Sequence, residues 1–196
     1  MRNWMLSSDS HVFEPPDLWT SRVPAAYRDR APRVEPADDA DWWHFLDQRM
    51  CSFAAGTKAG LRFQGQDALR VEYHFSDIRE GAYTPEIFVE DNAADGVWGS
   101  VLFPSIGVLL YQEHDAAALA VYARAFNEWI AEFSAAVPDR LKGMAILDAE
   151  DPTGAVRELE RARELGLAGA VITVAPLPGH GYEQPMYEPV WEAAAA

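Results

Sequence analysis

The second half of the chain alternates short, continuously apolar runs with longer segments in which apolar residues recur every three or four positions. Such runs predict buried strands, and the longer period predicts amphipathic helices. The predicted strands cover residues 4–6, 97–103, 141–147 and 168–174. Apolar strands that alternate with helices are typical of a parallel sheet covered on both faces. The pattern therefore predicts an α/β fold of right-handed β-α units.

Residues that favour the first turn of a helix stand before the predicted helices. These residues are Thr84, Asp115, Asp151 and Glu188, and proline follows all of them except Asp115. Gly96 and Gly166 end two of the helices, and Pro138 ends the longest one. Residues 15–83 lack a clear period; within them, 32–35, 41–45 and 48–50 predict a small hairpin with a returning strand. A segment this long and irregular is usually functional, so we expect it to fold as a cap over the site.

The composition narrows the classes of function. The 196-residue chain carries 31 acidic and 16 basic residues, a net charge of −15, and 49% of its residues are hydrophobic. A strongly acidic protein is unsuited to nucleic acids and to anionic membranes. The single cysteine, Cys51, cannot form an intrachain disulfide, and neither a signal peptide nor a membrane span is evident. We therefore expect a soluble, cytoplasmic protein that binds neither nucleic acid nor anionic membranes.

Candidate chemistry follows the first predicted strand, in the segment from Asp9 to Trp19. Residues two apart in a strand point to the same side, so Asp9 and His11 can direct a carboxylate and an imidazole to one point. Both groups are ordinary ligands of divalent metals. Read from these residues alone, the pair is more typical of a capping aspartate and an ordinary histidine where a strand meets a loop than of a metal site.

Several blocks of the sequence, in order along the chain, resemble the amidohydrolase-related family of metal-dependent hydrolases and decarboxylases, which includes the aminocarboxymuconate-semialdehyde decarboxylases. The opening block is Asp-Ser-His-Val-Phe-Glu-Pro-Pro-Asp-Leu-Trp at residues 9–19, and the later blocks lie at 95–105, 127–133, 138–143, 158–169 and 185–191. The resemblance implies a (β/α)8 barrel with its site at the carboxyl ends of the strands. The motif Asp9-Ser10-His11 resembles the acidic variant of the family's first-strand motif.

The resemblance implies that Asp9 and His11 bind a divalent metal, with Zn or Mn expected. Glu14 is expected to contact the metal or the substrate, or to hold the loop. A complete barrel has eight strands, so the four predicted here resemble its first half, with residues 15–83 as an insertion after the first strand. The family's later histidine ligand and its acid/base aspartate have no counterpart, so we expect the catalytic group beyond residue 196. His44, His74, His114 and His180 do not match the ligand spacing.

Two hypotheses of function follow. The first is a metal-dependent hydrolase or decarboxylase of a small organic acid or ring compound, of which this chain is a truncated part. The second is a non-catalytic half-barrel that serves as a binding or oligomerisation module. In either case an open parallel sheet leaves unpaired edges, and we expect the chain to form homo-oligomers. Four aromatic residues either line an apolar pocket or belong to the core, and the sequence leaves both alternatives open; they are Trp42, Trp43, Phe45 and Tyr111.

Overall fold

The computed structural model describes residues 4–54, 65 and 70–196. Its main sheet has four parallel strands in the spatial order β1-β5-β6-β7. These strands are β1 (Met5–His11), β5 (Val97–Phe103), β6 (Leu141–Ile146) and β7 (Gly169–Val171). All four predicted strands are therefore present, although the last is shorter than expected. Because the strands are parallel, their carboxyl ends lie at one edge of the sheet.

In the sequence, the segment between β1 and β5 forms a separate, small antiparallel sheet, preceded by two short helices. Its strands are β2 (Arg33–Pro36), β3 (Asp41–Phe45) and β4 (Gln48–Ser52), and the helices are α1 (Leu18–Arg22) and α2 (Ala25–Arg28). Leu46 and Asp47 connect β3 to β4 with φ angles of 50° and 58°. Positive φ at both central residues marks the tight hairpin turn that suits the twist of the flanking strands. The predicted hairpin is confirmed; the two helices were not predicted, because each is too short to show a period.

Four longer helices follow the strands of the main sheet. They are α3 (Pro85–Ala94), α4 (Ala116–Ala135), α5 (Pro152–Glu164) and α6 (Glu188–Ala195). Asp115 caps α4 by accepting hydrogen bonds from the N–H groups of Ala117 and Ala118, and Asp151 caps α5 through Gly154. Thr84 precedes α3 as predicted, but its side chain makes no capping hydrogen bond. Short 3-10 helices at Phe75–Asp77, Glu80–Ala82, Ile106–Gln112 and Pro185–Tyr187 were not predicted.

Aromatic side chains pack the segment between β1 and β5 against helix α4. Trp43 and Phe45 are 1% exposed, which assigns both to the core. Trp43 packs edge-on against Trp19 of α1, and Phe45 packs edge-on against Tyr122 of α4. The Trp19 indole N–H also donates to the backbone carbonyl of Tyr122 at 3.1 Å. The described residues between β1 and α3 and the β-α units thus share one hydrophobic core.

The strand β1 departs from the buried pattern of the other strands. Met5 is 56% exposed and Leu6 is 73% exposed, because β1 pairs with β5 on one side and lies at the edge of the sheet. In the described residues, no helix has the length and apolar character needed to cross a membrane.

Candidate metal site at the carboxyl end of the sheet

Asp9 and His11 come together at the carboxyl end of β1. The Oδ1 atom of Asp9 lies 3.4 Å from the Nε2 atom of His11, as expected for alternate residues of one strand. Both side chains are accessible, with 76% of the Asp9 side chain and 51% of the His11 side chain exposed. The two predicted ligands therefore direct an oxygen and a nitrogen toward the same point. Metal binding itself stays a prediction.

The orientation of the His11 ring is fixed by the neighbouring strand. The Nδ1 atom of His11 lies 3.1 Å from the carbonyl oxygen of Pro104, which follows β5. A carbonyl oxygen only accepts hydrogen bonds, so the contact places a proton on Nδ1, and Nε2 is the ring nitrogen that lies beside the Asp9 carboxylate. Metal-binding histidines are commonly oriented by such a hydrogen bond on the second ring nitrogen. The residues present therefore fit a divalent metal with a carboxylate and a neutral imidazole as two of its ligands.

Glu14, three residues after His11, is buried at 0% exposure. Its carboxylate accepts hydrogen bonds from the backbone N–H groups of Ser105, Ile106 and Gly107, at 3.0, 3.1 and 3.0 Å. Burial raises the pKa of Glu14, and the backbone hydrogen bonds oppose that shift. Of the three expected roles, holding the loop is the one its contacts serve. A direct contact of Glu14 with metal or substrate stays a prediction.

A cleft of about 1240 Å³ opens beside His11. Its walls come from β1, from the segment between β1 and β5, from α3 and from the segment after β5, and include Phe13, Trp42, Met50 and Ile106. Of the four aromatic residues whose role the sequence left open, Trp42 is the one that lines the cleft. Arg79 also lines the cleft, where it forms an ion pair with Asp91 at 3.0 Å. The cleft thus combines apolar walls with polar side chains, among them His11 and Arg79, as small-molecule sites usually do.

The remaining histidines make carboxylate pairs or lie at the surface. His44 lies 3.6 Å from Glu35, His74 lies 3.2 Å from Asp41, and His114 is exposed. His180 makes the shortest of these contacts, 2.6 Å from Nδ1 to a carboxylate oxygen of Glu150. Within residues 4–54, 65 and 70–196, no three or more side chains of His, Cys, Asp or Glu form a metal-binding group.

Tyr111 connects the ends of β6 and β7, a role that the sequence did not predict. Its hydroxyl contacts two backbone carbonyl oxygens, those of Val171 at 2.7 Å and Leu147 at 3.0 Å. These carbonyls lie at the carboxyl ends of β7 and β6. Burial raises the pKa of Tyr111, so the hydroxyl stays protonated and able to donate. Pro104, Tyr111 and Glu150 are found only from the structure, because they act through contacts between strands that are distant in sequence.

Comparison with known proteins supports both the fold and the family. The family model described as "Amidohydrolase" matches residues 71–196, more than half of the chain. A gamma-resorcylate decarboxylase of a Polaromonas species is 39% identical over 83 residues, which cover 38% of this chain and 24% of that protein.

Two solved structures align with nearly the whole chain. An amidohydrolase of Mycobacterium avium subsp. paratuberculosis aligns with a TM-score of 0.75 at 20% identity, covering 98% of this chain and 56% of that one. A 5-carboxyvanillate decarboxylase of Novosphingobium aromaticivorans, solved with bound manganese, aligns with a TM-score of 0.55 at 20% identity, covering 97% and 47%.

The chain thus spans about half the length of the solved structures. The predicted α/β fold, with about four of the eight units of a (β/α)8 barrel, is confirmed. The family match likewise confirms the resemblance found from the sequence blocks. On this evidence the chain belongs to the amidohydrolase family.

Proposed function

We propose that this chain contributes the first-strand part of the active site of a metal-dependent decarboxylase that acts on a small aromatic carboxylate. The observation that carries the proposal is the pair formed by Asp9 and His11, 3.4 Å apart at the carboxyl end of β1. The decarboxylase names of the similar proteins favour loss of carbon dioxide over hydrolysis, the other reaction that such a metal supports.

Asp9 and His11 would hold a divalent cation, manganese or zinc, with Oδ1 and Nε2 as donors. Such a cation would supply a fixed positive charge for the carboxylate or an adjacent oxygen of the substrate. The manganese named with the similar 5-carboxyvanillate decarboxylase supports this choice of metal class. Further ligands and the acid/base group belong to parts of the site beyond these two residues.

The other residues of the site position the pair and form the cavity. The Pro104 carbonyl orients the His11 ring so that Nε2 lies beside Asp9. Glu14 holds the turn that follows Pro104. Phe13, Trp42 and Met50 give the cleft an apolar wall that can accept an aromatic ring and exclude water. Exclusion of water strengthens the interaction of a carboxylate with a nearby positive charge.

Metal content of the purified 196-residue chain tests the proposal. We expect about one manganese or zinc ion per chain after incubation with the metal and gel filtration, as a single catalytic site requires. The Asp9→Ala and His11→Ala variants should lose that ion. The exposed His114 provides a matched control, because His114→Ala removes an imidazole far from the pair in sequence. Equal metal retention by all four proteins would contradict the proposal.

The reaction is tested with the metal-loaded chain and 2,6-dihydroxybenzoate. Release of resorcinol, measured by chromatography, would support decarboxylation. Hydrolysis of an aryl ester or lactone without release of resorcinol would instead support the hydrolase alternative. Absence of both bound metal and turnover would favour the non-catalytic half-barrel.

A further inference from the structure

Arg79 supplies a permanent positive charge to the cleft that opens beside His11. Among the described residues that line the cleft it is the only lysine or arginine, and its side chain is 55% exposed. The acidic residues of the same lining are Asp91 and Asp95. In a chain with a net charge of −15, an anionic ligand needs a local positive charge to bind. Arg79 is therefore the residue of the cleft that suits an anionic group.

The backbone holds Arg79 close to the segment that follows His11. A 3-10 helix at Glu80–Ala82 begins directly after Arg79, and the N–H of Ala82 donates to the carbonyl oxygen of Arg79 at 2.9 Å. The carbonyl oxygen of Ala82 in turn accepts a hydrogen bond from the N–H of Phe13 at 2.8 Å. The backbone of Arg79 is thus connected through Ala82 to the segment that leaves β1. Arg79 and the predicted metal ligand His11 therefore border one cleft.

The guanidinium group of Arg79 is held on one side and keeps unused donors. Its Nη2 atom donates to both carboxylate oxygens of Asp91, at 3.0 Å each. A Cβ atom at Gly81 would overlap a carboxylate oxygen of Asp91, so the absence of a side chain at Gly81 gives that carboxylate its room. In the described part of the chain, Nε and Nη1 of Arg79 make no hydrogen bond or ion pair. Both nitrogens carry N–H groups that can donate to a ligand.

We propose that Arg79 binds the carboxylate of an aromatic acid through these unused N–H groups. The inference rests on the proposed function, because it assigns a contact to the substrate class of that function. A guanidinium and a carboxylate form charge-assisted hydrogen bonds, which are stronger than those of a neutral amide. The apolar side chains of Phe13, Trp42 and Met50 line the same cleft and can contact the ring. Arg79 thus selects anionic over neutral aromatic ligands.

Benzoate and benzamide test this selectivity, because they share size and shape and differ in charge. We would titrate each into the metal-free chain by isothermal titration calorimetry and follow the Nε–H signals of the 15N-arginine-labelled chain by NMR. Benzoate should bind more tightly than benzamide and should shift the Arg79 signal with saturation. Equal affinities, or a benzoate complex that leaves the Arg79 signal in place, would overturn the proposal.

Substitutions of Arg79 test the contact directly. Arg79→Gln should weaken benzoate binding about ten-fold, the loss expected for one hydrogen bond to a charged group, and should weaken benzamide binding much less. Arg79→Lys, which keeps the charge but not the fork of donors, should be intermediate. Arg157→Gln, at an exposed position of α5, is the matched control and should leave both affinities unaltered.

The Arg79→Gln variant is expected to fold, because an exposed ion pair contributes little to stability. Unaltered benzoate affinity in this variant, with the circular dichroism spectrum of the parent, would contradict the proposal.

Asp91→Asn should change the affinity in the opposite direction. The amide oxygen still accepts a hydrogen bond from Nη2 of Arg79, while the negative charge beside the ligand is removed. Benzoate affinity should therefore rise about two-fold, and benzamide affinity should stay the same. A fall in benzoate affinity would contradict a carboxylate bound on the free side of the guanidinium group.

These experiments separate the contact from the proposed function. Asp9→Ala and His11→Ala should lose the metal, while the selectivity for benzoate persists in the metal-free chain. Loss of that selectivity in His11→Ala would assign the anion to the imidazole and overturn the role of Arg79. Selectivity in a parent chain that never binds metal would leave the Arg79 contact standing and refute the metal-dependent function. Metal retention without the selectivity would do the opposite.

Discussion

The carboxylate of Glu14 accepts a hydrogen bond from the backbone N–H of Gly107, 93 residues further along the chain, at 3.0 Å. Two neighbouring N–H groups, those of Ser105 and Ile106, bind the same carboxylate. The segment that leaves β1 is thereby joined to the segment that leaves β5. Because Pro104 lies at the start of the second segment and orients His11, one buried side chain supports the geometry of the candidate metal site.

Removal of this carboxylate should destabilise the protein strongly. Glu14→Ala leaves three buried N–H groups without their partner, and each unsatisfied group costs about 1–3 kcal/mol before relaxation. We expect the free energy of unfolding in urea to fall by about 2–4 kcal/mol, with Glu14→Gln intermediate because its amide oxygen still accepts. Glu90→Ala, at an exposed position of α3, is the control. A Glu14→Ala variant as stable as this control would contradict the role in holding the loop.

Gly107 should tolerate no larger side chain. A Cβ atom at this position would lie 2.8 Å from Cδ1 of Ile146 and 2.9 Å from Cβ of Pro104. Gly107→Ala should therefore lower the free energy of unfolding by about 1–3 kcal/mol through overpacking. Gly169→Ala is a matched control, because its new Cβ would meet only the flexible end of Met144. Equal losses in the two variants would show that the packing at Gly107 is not the cause.

The sequence predicted those parts of the molecule that depend on local pattern. The buried face of α4 is encoded by apolar residues that recur every three or four positions. Asp115 and Asp151 accept hydrogen bonds from N–H groups two or three residues further along the chain. The placement of Asp9 beside His11 follows from the alternation of one strand. Each of these features is encoded within a short window, and each was predicted.

Other parts depend on contacts across the fold and were missed. The ring of His11 is oriented by a carbonyl 93 residues away, and Tyr111 joins the ends of β6 and β7 over 36 and 60 residues. No periodicity encodes such pairs. His180 was recognised only as lying outside the ligand spacing, and its partner Glu150 lies 30 residues earlier. A histidine without ligand spacing therefore gave no indication of its carboxylate partner.

Acid should remove the small contribution of an ion pair between α1 and α4. Arg22 donates two hydrogen bonds to Glu132, at 2.8 and 2.6 Å, and this contact lowers the pKa of Glu132. A carboxyl group whose pKa is lower in the folded than in the unfolded state stabilises the folded protein at pH values above its unfolded-state pKa. That contribution is lost as the pH falls through its folded-state pKa. Because Glu132 is largely exposed, the contribution should stay below about 1 kcal/mol. Glu132→Gln should therefore be less stable than the parent at pH 7 and equally stable at strongly acidic pH, as measured by urea unfolding at both values.

Metal addition should raise the thermal midpoint of the parent chain. A ligand that binds only the folded state stabilises it, by about 2.7 kcal/mol when its concentration is 100 times the dissociation constant. Manganese should raise the midpoint in differential scanning calorimetry, and EDTA should reverse the change. Asp9→Asn should abolish the response, because an amide replaces the carboxylate that lies 3.4 Å from His11. A rise of the same size in Asp9→Asn would place the bound metal elsewhere.

The exposed face of β1 leads to a prediction about assembly. Leu6 is 73% exposed and Met5 is 56% exposed on a strand whose one described neighbour is β5, and Trp98 of β5 is 41% exposed. An edge strand with apolar side chains favours pairing with another chain. We expect sedimentation velocity to show dimers or larger species that increase with protein concentration.

Two substitutions identify the edge of the sheet that makes the contact. Leu6→Lys should shift the distribution toward the monomer, because a charge on an edge strand opposes such pairing. Val174→Lys, at a fully exposed position beyond β7, tests the other edge. A parent chain that sediments as a monomer at all concentrations would contradict self-association, and a response to Val174→Lys alone would assign the contact to the β7 side.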